Sequence, residues 1–94
     1  MDPDAEIDHE APTPVYQQLA GILRARIERG DWAPNRQIPS EPQLVQTYGL
    51  ARETTRKAIR VLIEDGLVVT VPGRGTFVAA ADDGDATSAS EPNE

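Results

Sequence analysis

Residues 40–66 read SEPQLVQTYGLARETTRKAIRVLIEDG, and the fold follows from how this stretch is punctuated. Ser40-Glu41-Pro42-Gln43 has the Ser-x-x-Gln form of a capping box, in which the serine hydroxyl and the glutamine side chain each satisfy a backbone N–H that a helix start leaves unpaired. Pro42 is tolerated there because first-turn N–H groups have no intrahelical acceptor. Leu44, Val45 and Tyr48 give the helix an apolar side, and Gly49 stops it. After Gly49-Leu50-Ala51 the helical period resumes with Thr55, Ala58, Ile59 and Leu62 on one face, which predicts a helix from Arg52 to Asp65 ended by Gly66. Two helices joined by a three-residue turn that begins with glycine form a helix-turn-helix, the arrangement that presents its second helix to the major groove of DNA.

The outward face of that second helix tests the assignment. Arg52, Arg56 and Arg60 stand at i, i+4 and i+8 along one edge, with Lys57 beside them and the apolar stripe elsewhere. A basic edge of this kind has two readings, a solvated face or a face that meets DNA. The second gains from position: the edge begins in the first turn, where a recognition helix points side chains at base edges. Arginine there pairs bidentately with guanine in a geometry lysine cannot copy.

Working outward, Thr13-Pro14 reads as an N-cap followed by proline at the first helical position. Val15, Leu19, Ile22, Leu23 and Ile27 then form one stripe of a helix that runs to Arg29 and stops at Gly30. Arg24, Arg26 and Arg29 complement the negative end of its dipole. Residues 30–39 are dense in turn formers, with Asn35 suited to a left-handed position and with Trp32 and Ile38 expected to plug the connector into the core. Downstream, Leu67–Val71 and Thr76–Ala79 alternate as strands around Pro72-Gly73-Arg74-Gly75, a β-hairpin. Gly73 and Gly75 either let the backbone approach a phosphate or groove floor while Arg74 reaches in, or satisfy turn geometry with Arg74 in solvent.

With 94 residues there is room for one small domain, which excludes a two-domain enzyme. The chain has no cysteine, and its single histidine, His9, lies in an acidic stretch; no cofactor, metal site or catalytic residue is expected, nor an enzyme. The acidic start and the lack of a long apolar run argue for a cytoplasmic protein with no membrane contact. The formal charge of −7 conceals a partition: residues 1–14 and 79–94 carry ten acids and no base, while 15–78 hold all nine basic residues against six acids. Poor in large apolar groups, 1–12 and 80–94 are expected to be disordered tails flanking a folded domain at 13–79. Those tails are either solvated ends or a shield for the basic face.

Val15-Tyr16-Gln17-Gln18-Leu19, Ile38-Pro39-Ser40-Glu41, Arg52-Glu53-Thr54-Thr55-Arg56-Lys57-Ala58, Glu64-Asp65-Gly66-Leu67 and Gly73-Arg74-Gly75-Thr76-Phe77-Val78, in this order and spacing, resemble the DNA-binding domain of the GntR family of bacterial transcription regulators over residues 13–79. The resemblance implies a mainly α winged helix-turn-helix, three helices plus a β wing. It implies base-edge contacts at Arg52 and Arg56, phosphate or groove-edge contacts at Thr54, minor-groove or backbone contacts at Gly73, and a Ser40 that caps its helix and meets a phosphate. Three positions depart from the pattern. Ala51 stands where a Ser or Thr cap is common, Pro42 where many members have arginine, and Glu53 where some have Thr or Ser. Glu53 either accepts from a cytosine amino group or holds Arg52 or Lys57 in place.

Members of this family usually continue into an effector-binding and dimerisation domain, whereas about fifteen residues of acidic, low-complexity sequence follow the wing here. The expectation is a minimal regulator without a small-molecule effector site. Its expected DNA-contacting set is Arg52, Glu53, Thr54, Arg56, Lys57, Arg60, Ser40, Gly73, Arg74 and Gly75, on a palindromic double-stranded operator that two copies occupy, pairing in solution or only on DNA. Repression is expected from steric logic. The competing reading is a winged-helix protein-interaction module, or a DNA mimic that titrates a basic partner, neither of which needs the arginine edge.

Overall fold

The computed structural model describes residues 2–80, in the order α1 (Val15–Arg29), α2 (Glu41–Tyr48), α3 (Arg52–Glu64), β1 (Val68–Val71) and β2 (Gly75–Val78). The local signals act as their chemistry requires. Gln43 donates its backbone N–H to the Ser40 hydroxyl at 3.4 Å, and the Ser40 N–H donates to the Gln43 side-chain oxygen at 2.9 Å, closing the capping box of α2. Gly49 ends α2 in the left-handed region at φ 68°, and Asn35 takes the same region at φ 69°.

Two boundaries differ from expectation. Thr13 does not cap α1: Pro14 holds the N-cap position with no side-chain bond, and the Thr13 carbonyl accepts from the Gln18 side chain at 2.8 Å. Asp65 closes α3 as its C-cap instead of extending it.

α1 and α2 both pack on α3, and the hairpin closes the core from the other end. Leu19, Leu23, Leu44, Leu62 and Val68 are the fully buried centre, with Ile38 buried and Trp32 half-buried against it. β1 and β2 pair antiparallel, Val68 opposite Val78 and Val71 opposite Gly75. The connector then adds what the sequence did not announce, a single β-bridge to β2. Gln37 bridges Phe77, the Ile38 N–H donates to the Thr76 carbonyl at 2.9 Å, and Val78 donates to the Arg36 carbonyl at 2.8 Å.

Part of the stretch expected as an amino-terminal tail contacts Gln18. This side chain sits on the inner face of α1 and is 2% exposed, so its amide must find partners within the fold. It accepts from the Asp8 N–H at 2.8 Å and donates to the Asp8 and Thr13 carbonyls at 2.9 and 2.8 Å. Ile7 packs against the core beside it. Ile7, Asp8 and Thr13 thus touch the helical domain. From residue 81 on, the tail expected at 80–94 lies outside the described residues.

Where α1 meets the connector, Asp31 accepts from Arg26 Nε at 2.7 Å and from Arg29 Nε at 2.8 Å. Arg26 also lies 4.5 Å over the Trp32 ring and donates to the Tyr48 hydroxyl at 3.1 Å. The Arg29 guanidinium, and after it Arg26, hold the Asp31 carboxyl well below its ordinary value of 3.8. A depressed carboxylate contributes stability above its unfolded-state value and loses it as the pH falls through the folded one. Asp31→Asn should therefore lower the melting temperature at pH 7, and the gap to wild type should close below the ordinary value of 3.8 when melts are compared across pH. Gln18→Ala should raise amide exchange at Asp8 more than at α3, because it frees the arm while the helical core stays paired; equal protection at Asp8 would show that the arm is held by something else.

Candidate nucleic-acid interface

The candidate interface is built on α3, whose two sides the packing separates cleanly. Thr55, Ala58, Ile59 and Leu62 are buried, and Arg52, Glu53, Arg56, Lys57 and Arg60 are exposed, with Thr54 half-buried between them. Ala51 gives the helix no side-chain cap, as its methyl group requires. The Thr55 hydroxyl donates back to the Ala51 carbonyl at 3.1 Å and so satisfies none of the first-turn N–H groups. The first-turn N–H groups of α3 thus face outward without a capping side chain, an arrangement favourable to an anion.

Charge is distributed unevenly over the basic residues. On α1, Arg24 pairs with Asp65, Arg26 with Asp31, and Arg29 with both Asp31 and Asp4. On α3, Arg56 alone is braced: its Nε lies 3.5 Å from Glu41 on α2, and its Nη1 lies 3.8 Å from Glu53. Among the described residues, Arg52, Lys57, Arg60 and Arg74 make no ion pair. The α1 arginines are neutralised within the fold while the α3 edge keeps its field. The arm's one described ion pair, Asp4 with Arg29, lies on α1 and leaves that edge uncovered.

The partner of Glu53 differs from both expected ones. Residues one apart on a helix do not face each other, which removes Arg52, and Lys57 leans instead toward α1, its Nζ 5.7 Å from the centre of the Tyr16 ring. The i+3 neighbour, Arg56, is what Glu53 reaches. Tyr16 is accordingly a residue of this face that sequence patterning left out. With Lys57, Arg60, Val61 and Glu64 it lines a shallow hollow of about 260 Å³ where the start of α1 joins the basic edge. Its signal was present, because Tyr16 falls off the apolar stripe of α1, but only the packing of α1 on α3 gives that a meaning.

The wing tip is a tight reversal. Arg74 donates its N–H to the Val71 carbonyl at 2.9 Å, Gly73 lies at φ 77°, and the Arg74 side chain is exposed. Ser40 sits at the exposed start of α2 with its hydroxyl in the capping box. Hence α2 and α3 bring Ser40, Glu41 and Arg56 into one neighbourhood through the Arg56–Glu41 pair, while Gly73, Arg74 and Gly75 stand on a separate element.

The family model for bacterial regulatory proteins of the gntR family matches residues 15–78, from the first residue of α1 to the last of β2. The chain belongs to the GntR family. It is 41% identical over 70 residues to the histidine utilization repressor of Pseudomonas putida and 36% identical over 73 residues to the transcriptional repressor NagR of Bacillus subtilis. These alignments take in 74% and 78% of the chain but only 28% and 30% of the relatives, so the chain spans less than a third of their length.

Among solved structures, the AraR DNA-binding domain in complex with operator ORR3 is 38% identical, with a TM-score of 0.71 over 81% of this chain and 92% of that one. YtrA of Sulfolobus acidocaldarius, a GntR-family transcription factor, superposes at 0.73 with 32% identity over 81% of this chain and 80% of its own. The architecture is the winged helix-turn-helix of this family's DNA-binding domains, as the sequence led one to expect.

In this GntR-family fold Ser40 caps α2, the helix that carries Glu41 to Arg56. Ser40→Ala should cost about 1 kcal/mol of unfolding free energy in urea titrations, the usual worth of an N-cap side chain. An unchanged midpoint would mean that packing of Leu44 alone holds α2.

Proposed function

We propose that the chain is a sequence-specific regulator of transcription that binds double-stranded DNA through α3 and the wing and represses by occupying its operator. The observation that carries this is the exposed edge of Arg52, Arg56, Lys57 and Arg60 on the second helix of the helix-turn-helix, beside α1 arginines that are neutralised internally. In this reading α3 enters the major groove, and Arg52 and Arg56 read base edges through bidentate pairs. Lys57 and Arg60 meet the flanking backbone, with Thr54, Ser40 and the uncapped first turn of α3 near phosphates. The Gly73-Arg74-Gly75 tip lies along the minor groove or the adjoining backbone. Glu53 acts by orienting Arg56.

One domain of this size makes few phosphate contacts, which favours two copies on a palindromic site. Among the described residues no helix is long and apolar enough to cross a membrane, and a DNA ligand suits a cytoplasmic protein.

The test begins with selection from a randomised duplex library, followed by fluorescence anisotropy on the selected duplex and a scrambled one at several salt concentrations. Wild type should prefer the selected duplex and lose affinity steeply with salt. Arg52→Ala or Arg56→Ala should cost about 1–3 kcal/mol and relax preference at one base pair. Lys57→Ala should weaken all duplexes alike and lower the salt slope by about 1. Enrichment of no sequence, with equal weak binding to both duplexes, would overturn the proposal.

A further inference from the structure

A two-stranded hairpin of four residues per strand is marginal on its own, and nothing in its turn fixes where the tip stands relative to the rest of the domain. Here the connector supplies that reference. Its backbone pairs with β2 on both sides of Gln37, through the Arg36 carbonyl and the Ile38 N–H. From that anchored position the exposed Gln37 side chain runs to the wing tip, where its Nε2 donates to the Arg74 carbonyl at 3.1 Å. The contact interlocks with Gly75, which lies at φ 129°. A Cβ there would stand 2.3 Å from the Gln37 Nε2 and 3.1 Å from its Cδ. A side chain at 75 and the amide of Gln37 would claim the same space, so a substitution there would push the Gln37 amide off the Arg74 carbonyl, while the backbone at φ 129° itself favours glycine.

We infer that Gln37 is the positioning residue of the wing: by holding the Arg74 carbonyl it fixes the orientation of the Arg74–Gly75 peptide and thereby where the Arg74 side chain is delivered to DNA. The inference rests on the proposed wing contact. It adds a residue that lies outside the hairpin and touches no DNA in that reading. The geometry also specifies the chemistry. The carbonyl needs a donor, which glutamine has and methionine of similar length lacks. Gln37 lies three residues before the α2 cap and four before Glu41, the brace of Arg56, so one short segment references both the wing arginine and the reading arginine to the same backbone.

The experiment uses the full chain and the selected duplex, with Gln37→Met, Gln37→Ala, Arg74→Ala, Arg52→Ala and the double variants of Gln37→Met with each arginine change. Gln37→Met and Gln37→Ala should each weaken binding by roughly fivefold, the scale of one neutral hydrogen bond, with melting curves close to wild type because the side chain is exposed. Gln37→Met should add almost nothing to Arg74→Ala, since the delivered group is already gone. It should add in full to Arg52→Ala, which acts on another element.

Three results would overturn the inference: full additivity with Arg74→Ala, wild-type affinity in both Gln37 variants, or wild-type affinity in Arg74→Ala. Failure of the wild-type protein to prefer the selected duplex is a different result, and it would remove the functional proposal itself.

Discussion

The pairing of the connector backbone with β2 is the constraint on which the binding face depends. Without it the molecule would be a three-helix cluster carrying a loose ribbon; with it, Ile38 is drawn into the core and the segment leaving the sheet enters the α2 cap directly. The chain between Arg36 and Glu41 thus has no slack. It pairs with the wing, buries one side chain, caps a helix and places a carboxylate beside Arg56 within six residues. Backbone hydrogen bonds carry most of this, which makes the register insensitive to surface side chains and leaves those free to serve recognition.

Electrostatics then separates scaffold from surface. A chain of formal charge −7 that approaches a polyanion must place its positive charge where it is not cancelled. The fold meets that demand by pairing the arginines of α1 with Asp4, Asp31 and Asp65 while exposing those of α3. The Asp31 cluster has a further role: it ties the last turn of α1 to the connector through two guanidinium groups and stacks one of them on Trp32. The same residue type serves as a structural clasp on one helix and as a free cation on another, and only packing distinguishes them.

Much of this was legible because it is local. Caps, glycine stops, the left-handed Asn35 and the buried stripe of α3 are each encoded within a few residues, and each signal agrees with its neighbours. What escaped is non-local or depends on competition. Arg36-Gln37-Ile38 has no strand alternation, and its partner β2 is distant in sequence. Gln18 lies on a helical face that reads as core, and the need to satisfy its buried amide is what recruits an acidic arm that composition alone marks as disordered. Glu53 had cations on both sides, and the choice went to Arg56 because helix geometry and the attraction of Lys57 to Tyr16 left it the reachable one.

Under the proposed function Arg56 reads a base, and its contacts to Glu41 and Glu53 are of the weak kind that such a role would use. At 3.5 and 3.8 Å, with the Arg56 side chain 45% exposed, the pairs to Glu41 and Glu53 add little to stability, because water and salt screen them. In that reading their value lies in restricting the rotamers of a long side chain before a base contact, which would reduce the ordering cost of a bidentate pair. A stronger, buried pair would defeat that purpose, since breaking it would leave an uncompensated charge and cost more than the base contact returns. An exposed, two-sided and loosely held arginine is therefore the arrangement expected of a group that must be oriented in the free protein and still be given up to a guanine.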